Sequence, residues 1–180
     1  MISEFRKTKL LYIFYTFFDI DSSGEISKTD FDVTLENIAK SRQWSPNDDK
    51  YKEAQAALYR IWESIQEAAD DNKDGKVTIQ EWLSMWERFV VKPFEWQDLY
   101  CKFIFDLQDT SRDGSIDLEE FRSVFTSFGL LEEDSKAAFK KMAQGKSNVT
   151  WDEFKQLWTQ YFTSEIPSDP GNFIFGAATY

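Results

Sequence analysis

The chain has 180 residues, with 32 Asp and Glu against 21 Lys and Arg, a net charge of −11 and no histidine. Negative charge in this excess makes nucleic acid and anionic lipid poor partners, and the lack of histidine removes Ser/His/Asp and Cys/His nucleophile chemistry. The single cysteine, Cys101, excludes an internal disulfide and fits a reducing, cytoplasmic compartment.

Along the chain, Leu10 to Phe18 (LLYIFYTFF) is the first apolar run. It is too short for a membrane helix, which needs about 18 apolar residues, and it lacks the small-residue cleavage site of a signal peptide. Met1-Ile2 does not fit an N-terminal myristoylation signal, which needs glycine second. Leu11, Tyr15 and Phe18 instead predict a helix that enters the acidic string Asp19 to Asp30 (DIDSSGEISKTD). Phe31, Leu35 and Ile38 give the following helix an apolar stripe. Ser41 to Asp49, polar and with Pro46, breaks it. A long helix from about Lys50 to Ala69 then enters a second string, Asp70 to Glu81 (DDNKDGKVTIQE), followed by Trp82, Met85, Trp86 and Phe89 on one stripe. Pro93 ends this part. Cys101 falls at a core-facing position, and Phe103, Phe105 and Leu107 crowd the approach to a third string, Asp109 to Glu120 (DTSRDGSIDLEE). Phe121, Val124, Phe125 and Phe128 follow it, and Phe154, Leu157, Trp158 and Tyr161 form the last stripe. The tail from Thr163 carries Pro167, Pro170, Gly171 and then Phe173-Ile174-Phe175, three large apolar residues that predict a tail folded back on the body.

Three acidic twelve-residue strings in one frame are a repeat. Each has glycine sixth, an aliphatic residue eighth (Ile26, Val77, Ile116), a carboxylate twelfth and a large aromatic next. A hard cation such as calcium takes six to eight oxygens at roughly 2.3–2.6 Å. A short loop supplies them from side chains at positions 1, 3 and 5, a carbonyl at 7, position 9 often through water, and a carboxylate at 12. The first string offers Asp19, Asp21, Ser23, the carbonyl of Glu25, Ser27 and Asp30. The second offers Asp70, Asn72, Asp74, the carbonyl of Lys76, Thr78 and Glu81. The third offers Asp109, Ser111, Asp113, the carbonyl of Ser115, Asp117 and Glu120. This is the EF-hand pattern. It predicts three Ca2+ sites, with the eighth residues pairing in short antiparallel bridges as the only β-structure. Asp30 is one methylene shorter than the glutamate found at position 12 in the other two loops, so the first site should hold calcium more weakly and accept Mg2+, which wants six ligands at shorter distance. The third loop has four carboxylates and the other two have three each, which ranks it tightest.

A fourth stretch, Met142 to Glu153 (MAQGKSNVTWDE), keeps Val149 eighth, Glu153 twelfth and Phe154 after it. Met142, Gln144 and Lys146 stand where carboxylates should be, and Ser147 replaces the glycine. It reads as a hand that keeps its fold and has lost its metal. Gly145-Lys146-Ser147 matches the end of a P-loop, but Lys140 holds the position of the required upstream glycine.

The fold class is therefore all-α: four helix-loop-helix units, three intact and one degenerate, as eight helices packed in two paired halves of a compact body. The expected divisions are residues 1–92 for hands one and two, 93–165 for hands three and four, and 166–180 for the tail. Three bound calcium ions would bring the net charge from −11 to about −5, so metal should add to stability.

The layout resembles the invertebrate sarcoplasmic calcium-binding proteins and, more closely, the calexcitins. The likeness rests on three intact hands before a broken fourth, the wide first interval and Asp30 closing the first loop. It also rests on Ala69-Asp70-Asp71-Asn72 with Glu81-Trp82-Leu83 and Met85-Trp86, on Leu157-Trp158-Thr159 with Tyr161-Phe162, and on Gly171-Asn172 with Phe175-Gly176. The resemblance implies a monomeric, calcium-loaded cytoplasmic protein that is not an enzyme. It implies a sensor acting on a protein target such as an ion channel or a calcium-store protein, the alternative being a Ca2+/Mg2+ buffer. Three methionines are few for an adaptable sensor groove. Calcium-triggered photoproteins share the repeat layout but rely on histidines that this chain lacks.

Overall fold

The computed structural model describes residues 2–88 and 94–180. Among them are eight α-helices and two two-stranded sheets: α1 Glu4–Ile13, β1 Glu25–Ser27, α2 Lys28–Arg42, α3 Asp49–Ala69, β2 Lys76–Thr78, α4 Ile79–Arg88, α5 Glu95–Gln108, β3 Ser115–Asp117, α6 Leu118–Ser127, α7 Glu132–Ala143, β4 Asn148–Thr150 and α8 Trp151–Thr163. The fold is the expected all-α one, and the long helix α3 runs as its spacing predicts. Phe89 and Pro93, and with them the expected division at residues 92 and 93, lie outside the described residues.

Each strand is the seventh to ninth residues of a loop. β1 pairs with β2 with Ile26 opposite Val77, and β3 pairs with β4 with Ile116 opposite Val149. All four of these side chains are buried. A one-residue slip would turn them outward, so burial of position 8 fixes the register.

The chain divides into two compact units, one of Leu11–Phe103 with Ile2 and one of Ser3–Leu10 with Ile104–Tyr180. The first holds hands one and two around an aromatic cluster. Phe18 lies 4.9 Å from Tyr100 and 5.9 Å from Trp96, which is 5.5 Å from Trp82. Rings at these spacings and tilts add about 0.5–1.5 kcal/mol per pair to their burial. The second unit packs Phe105 against Phe154 at 5.5 Å and Phe121 against Phe125 at 4.6 Å.

One expectation fails at the approach to the first loop. A regular helix would put Leu11, Tyr15 and Phe18 on the buried face, but Tyr15 is 51 % exposed while Ile13, Phe14, Phe17 and Phe18 are buried. Residues Phe14–Phe18 form a π-helical turn, closed by the Asp19 N–H donating to the Phe14 carbonyl at 2.8 Å. The extra residue in that turn rotates the apolar face by about one position. At the third approach, Phe105 is buried, whereas Phe103 and Leu107 are only half-buried beside Ile104 and Gln108. Cys101 is buried, as expected.

The tail folds back within the second unit. A 3₁₀ turn, Pro170–Phe173, carries Phe173, Ile174 and Phe175 into the core. Phe175 sits 5.2 Å from Trp158 and 4.8 Å from Tyr161. Gly171 permits the approach, since a Cβ there would lie 2.5 Å from the Leu157 carbonyl oxygen. Lys9, on α1, is 1 % exposed and fastens the same region. Its Nζ donates to the carbonyls of Tyr161 (2.6 Å) and Ser164 (3.0 Å), at the C-terminal end of α8, and to Asn172 Oδ1 (2.7 Å). The helix end is the negative end of its dipole, which favours a cation there.

Candidate metal centres

Helices α1, α3 and α5 approach three loops that are wired alike. In each, the position-1 aspartate accepts two amide N–H groups from across the turn. Asp19 takes Ser23 (2.8 Å) and Gly24 (3.0 Å); Asp70 takes Asp74 (3.2 Å) and Gly75 (3.0 Å); Asp109 takes Asp113 (3.1 Å) and Gly114 (3.0 Å). The position-6 glycines have φ of +85°, +82° and +84°, the left-handed region that this curl needs.

The position-12 carboxylates close the loops from the first turn of the exiting helix. Each accepts the position-9 amide: Ser27 to Asp30 at 2.7 Å, Thr78 to Glu81 at 3.0 Å and Asp117 to Glu120 at 3.1 Å. In loops one and three the other oxygen reaches across to position 3, taking the Asp21 N–H at 3.3 Å and the Ser111 N–H at 2.9 Å. Asp30, though shorter, thus makes the same two bonds as Glu120. The side chain of Asp117 faces its own helix, accepting the Glu120 N–H at 2.9 Å.

The structure brings Asp19, Asp21 and Asp30 together, with one oxygen of each within 4.8 Å of the others. Asp19 and Asp30 are buried and Asp21 is exposed. Burial pushes the Asp30 carboxyl up, and amide hydrogen bonds from Ser27 and Asp21 pull it back. The Ser23 hydroxyl and amide hold Asp21 down, and Ser115 does the same for Asp113. Buried carboxylates that converge on one point lower their free energy by sharing a cation. The donor set is all oxygen, which suits calcium or magnesium and not a thiol- or imidazole-seeking metal. The residues present therefore fit the ion that the loops imply.

Two kinds of contact here were not read from the sequence. The Thr110 hydroxyl, at position 2, donates to Glu120 Oε1 at 3.2 Å. Position-7 side chains meet across each sheet: Lys76 Nζ to Glu25 Oε2 at 2.6 Å, and Asn148 Nδ2 to Ser115 Oγ at 3.3 Å. Adjacent loop carboxylates and hydroxyls gave the signal for the first. The second needed the strand register.

The fourth loop departs from the others. Helix α7 extends through Ala143, two residues past the equivalent end of α3 and α5, and its positive-φ residues are Gln144 and Gly145, side by side. Glu153 Oε2 still accepts the Thr150 amide at 3.0 Å, but Oε1 receives the Lys146 ammonium. That lysine holds the Glu153 carboxyl below its ordinary value.

The EF hand family profile matches residues 67–86 and 104–125, which cover the second and third loops. The chain is 32 % identical over 183 aligned residues to sarcoplasmic calcium-binding proteins II, V, VI and VII of Branchiostoma lanceolatum, spanning 97 % of this chain and 98 % of theirs. Identity with calexcitin-1 of Caenorhabditis elegans is lower, 28 %, over 97 % of this chain and 88 % of that one. The solved structure of a sarcoplasmic calcium-binding protein from amphioxus superposes with a TM-score of 0.80 at 29 % identity, covering 98 % of each chain. The sequence likeness is thus greater to the amphioxus proteins than to calexcitin-1, although the layout pointed first to the calexcitins. The chain is a calcium-binding EF-hand protein, not an enzyme, and it belongs to the sarcoplasmic calcium-binding protein family.

Proposed function

We propose that the protein binds three calcium ions, one in each of the loops 19–30, 70–81 and 109–120, and serves as a monomeric cytoplasmic buffer, with magnesium an alternative occupant of the first site. The observation that carries the reading is the shared wiring of the three loops. A position-1 aspartate gathers two amides and a position-12 carboxylate takes the position-9 amide in all three. The ligands would be Asp19, Asp21, Ser23, the Glu25 carbonyl and Asp30; Asp70, Asn72, Asp74, the Lys76 carbonyl and Glu81; and Asp109, Ser111, Asp113, the Ser115 carbonyl and Glu120. Ser27, Thr78 and Asp117 would serve through water at position 9.

Burial of Met85 and Met142 and the seating of Phe173–Phe175 in the core support a buffer, because a sensor groove is built from accessible, adaptable apolar side chains. The second reading is a sensor with a protein target such as an ion channel or calcium-store protein, which the likeness to calexcitin-1 favours. Binding of a hydrophobic fluorescent probe, with and without calcium at physiological magnesium, separates the two. A buffer shows little gain in emission. A large calcium-specific gain would replace it with the sensor.

A further inference from the structure

The fourth loop carries its own cation. In loops one and three, the position-12 carboxylate has one oxygen on the position-9 amide and the other spanning the loop. In loop four, Glu153 keeps the first of these bonds, and its spanning oxygen takes the Lys146 ammonium, at position 5. The strand keeps its place. Val149 is 2 % exposed opposite Ile116, and the Trp151 N–H donates to the carbonyl of Gly114, at position 6 of loop three, at 3.2 Å.

A hydrogen-bond relay runs from there into the third site. Asn148 Nδ2 donates to Ser115 Oγ at 3.3 Å, and Ser115 Oγ donates to Asp113 Oδ1 at 2.8 Å. Asp113 is the position-5 ligand of loop three. We propose that Lys146 is a positioning residue: it closes the fourth loop in place of a metal, so that hand four orders the third loop before any ion arrives. This rests on loop three being a calcium site.

The test compares the full chain with Lys146→Met and Lys146→Arg. Amide hydrogen exchange of Ile116 and Val149 is measured in the calcium-free protein. Calcium titration is then followed by NMR at the Gly24, Gly75 and Gly114 amides, which report the three loops separately. Lys146→Met should speed Ile116 and Val149 exchange about two- to fivefold, the range that an exposed ion pair commands. It should weaken calcium at Gly114 by a similar factor and leave Ile26, Val77, Gly24 and Gly75 unchanged. Lys146→Arg should restore most of both effects. Unchanged Ile116 and Val149 exchange, a uniform rise in all four amides, or an arginine variant as impaired as the methionine would overturn the proposal. If exchange responds as stated but Gly114 shows no calcium response in any of the proteins, the third calcium site fails and the role of Lys146 stands.

Discussion

Replacing Lys9 with methionine should change how stability depends on pH. The ammonium is buried against the end of α8 and between two rings, 4.8 Å from the centroid of Phe5 and 5.1 Å from that of Tyr161. Burial, with help from Arg6, pushes its pKa down from 10.5 to about 8, while Glu165 and Asp169 pull the other way. In the unfolded chain the lysine keeps its proton up to its ordinary pKa, so between pH 8 and 10.5 the unfolded state binds more protons than the folded one. Stability from this group therefore rises with pH across that window. The full penalty holds below pH 8 and is gone above 10.5. At 1.36 kcal/mol per pH unit a fall of this size is worth on the order of 1–3 kcal/mol, less than burial alone would give because the three acceptors on Nζ favour its charged form. Urea unfolding of the calcium-loaded protein, wild type minus Lys9→Met, isolates it from the other titrating groups. The difference should shift in favour of the wild type by roughly 1–3 kcal/mol between pH 7 and 10.5. A flat difference would show that the ammonium is not desolvated in this cage.

Asp30→Glu should raise the calcium affinity of the first loop and lower its preference for magnesium, as read from the Gly24 amide; unchanged or weaker calcium binding would count against a reach-limited carboxylate. Phe175→Ala should cost about 3–5 kcal/mol, since the ring is fully buried between Trp158 and Tyr161; thermal unfolding within error of wild type would mean the tail is not part of the core. Gly171→Ala should cost about 1–3 kcal/mol by overpacking against the Leu157 carbonyl, measured by the same melting curve.

The loops were the most legible part of the sequence because their chemistry is local. Glycine sixth, a β-branched residue eighth and a carboxylate twelfth each answer to a backbone angle, a strand pair or a helix cap within a few residues. Lys146 was legible as a cation in a broken cage, though its bond to Glu153 and the two extra residues of α7 were not. The π turn could not be read, because in an unbroken run such as LLYIFYTFF every register offers an apolar face. Only packing against Trp82 and Tyr100 selects Phe14 and Phe18. Lys9 left a trace, since it stands between Phe5 and Ile13 at helical spacing. Its partners Tyr161, Ser164 and Asn172, though, lie more than 150 residues away and belong to a tail whose path follows no period.

Isothermal titration of the metal-stripped full chain with calcium tests the central claim most directly. Three ions per chain should bind, with Glu81→Gln and Glu120→Gln each removing or weakening one by at least about tenfold, or 1.4 kcal/mol. No uptake of calcium, or uptake untouched by both substitutions, would contradict the assignment of these loops as the metal sites.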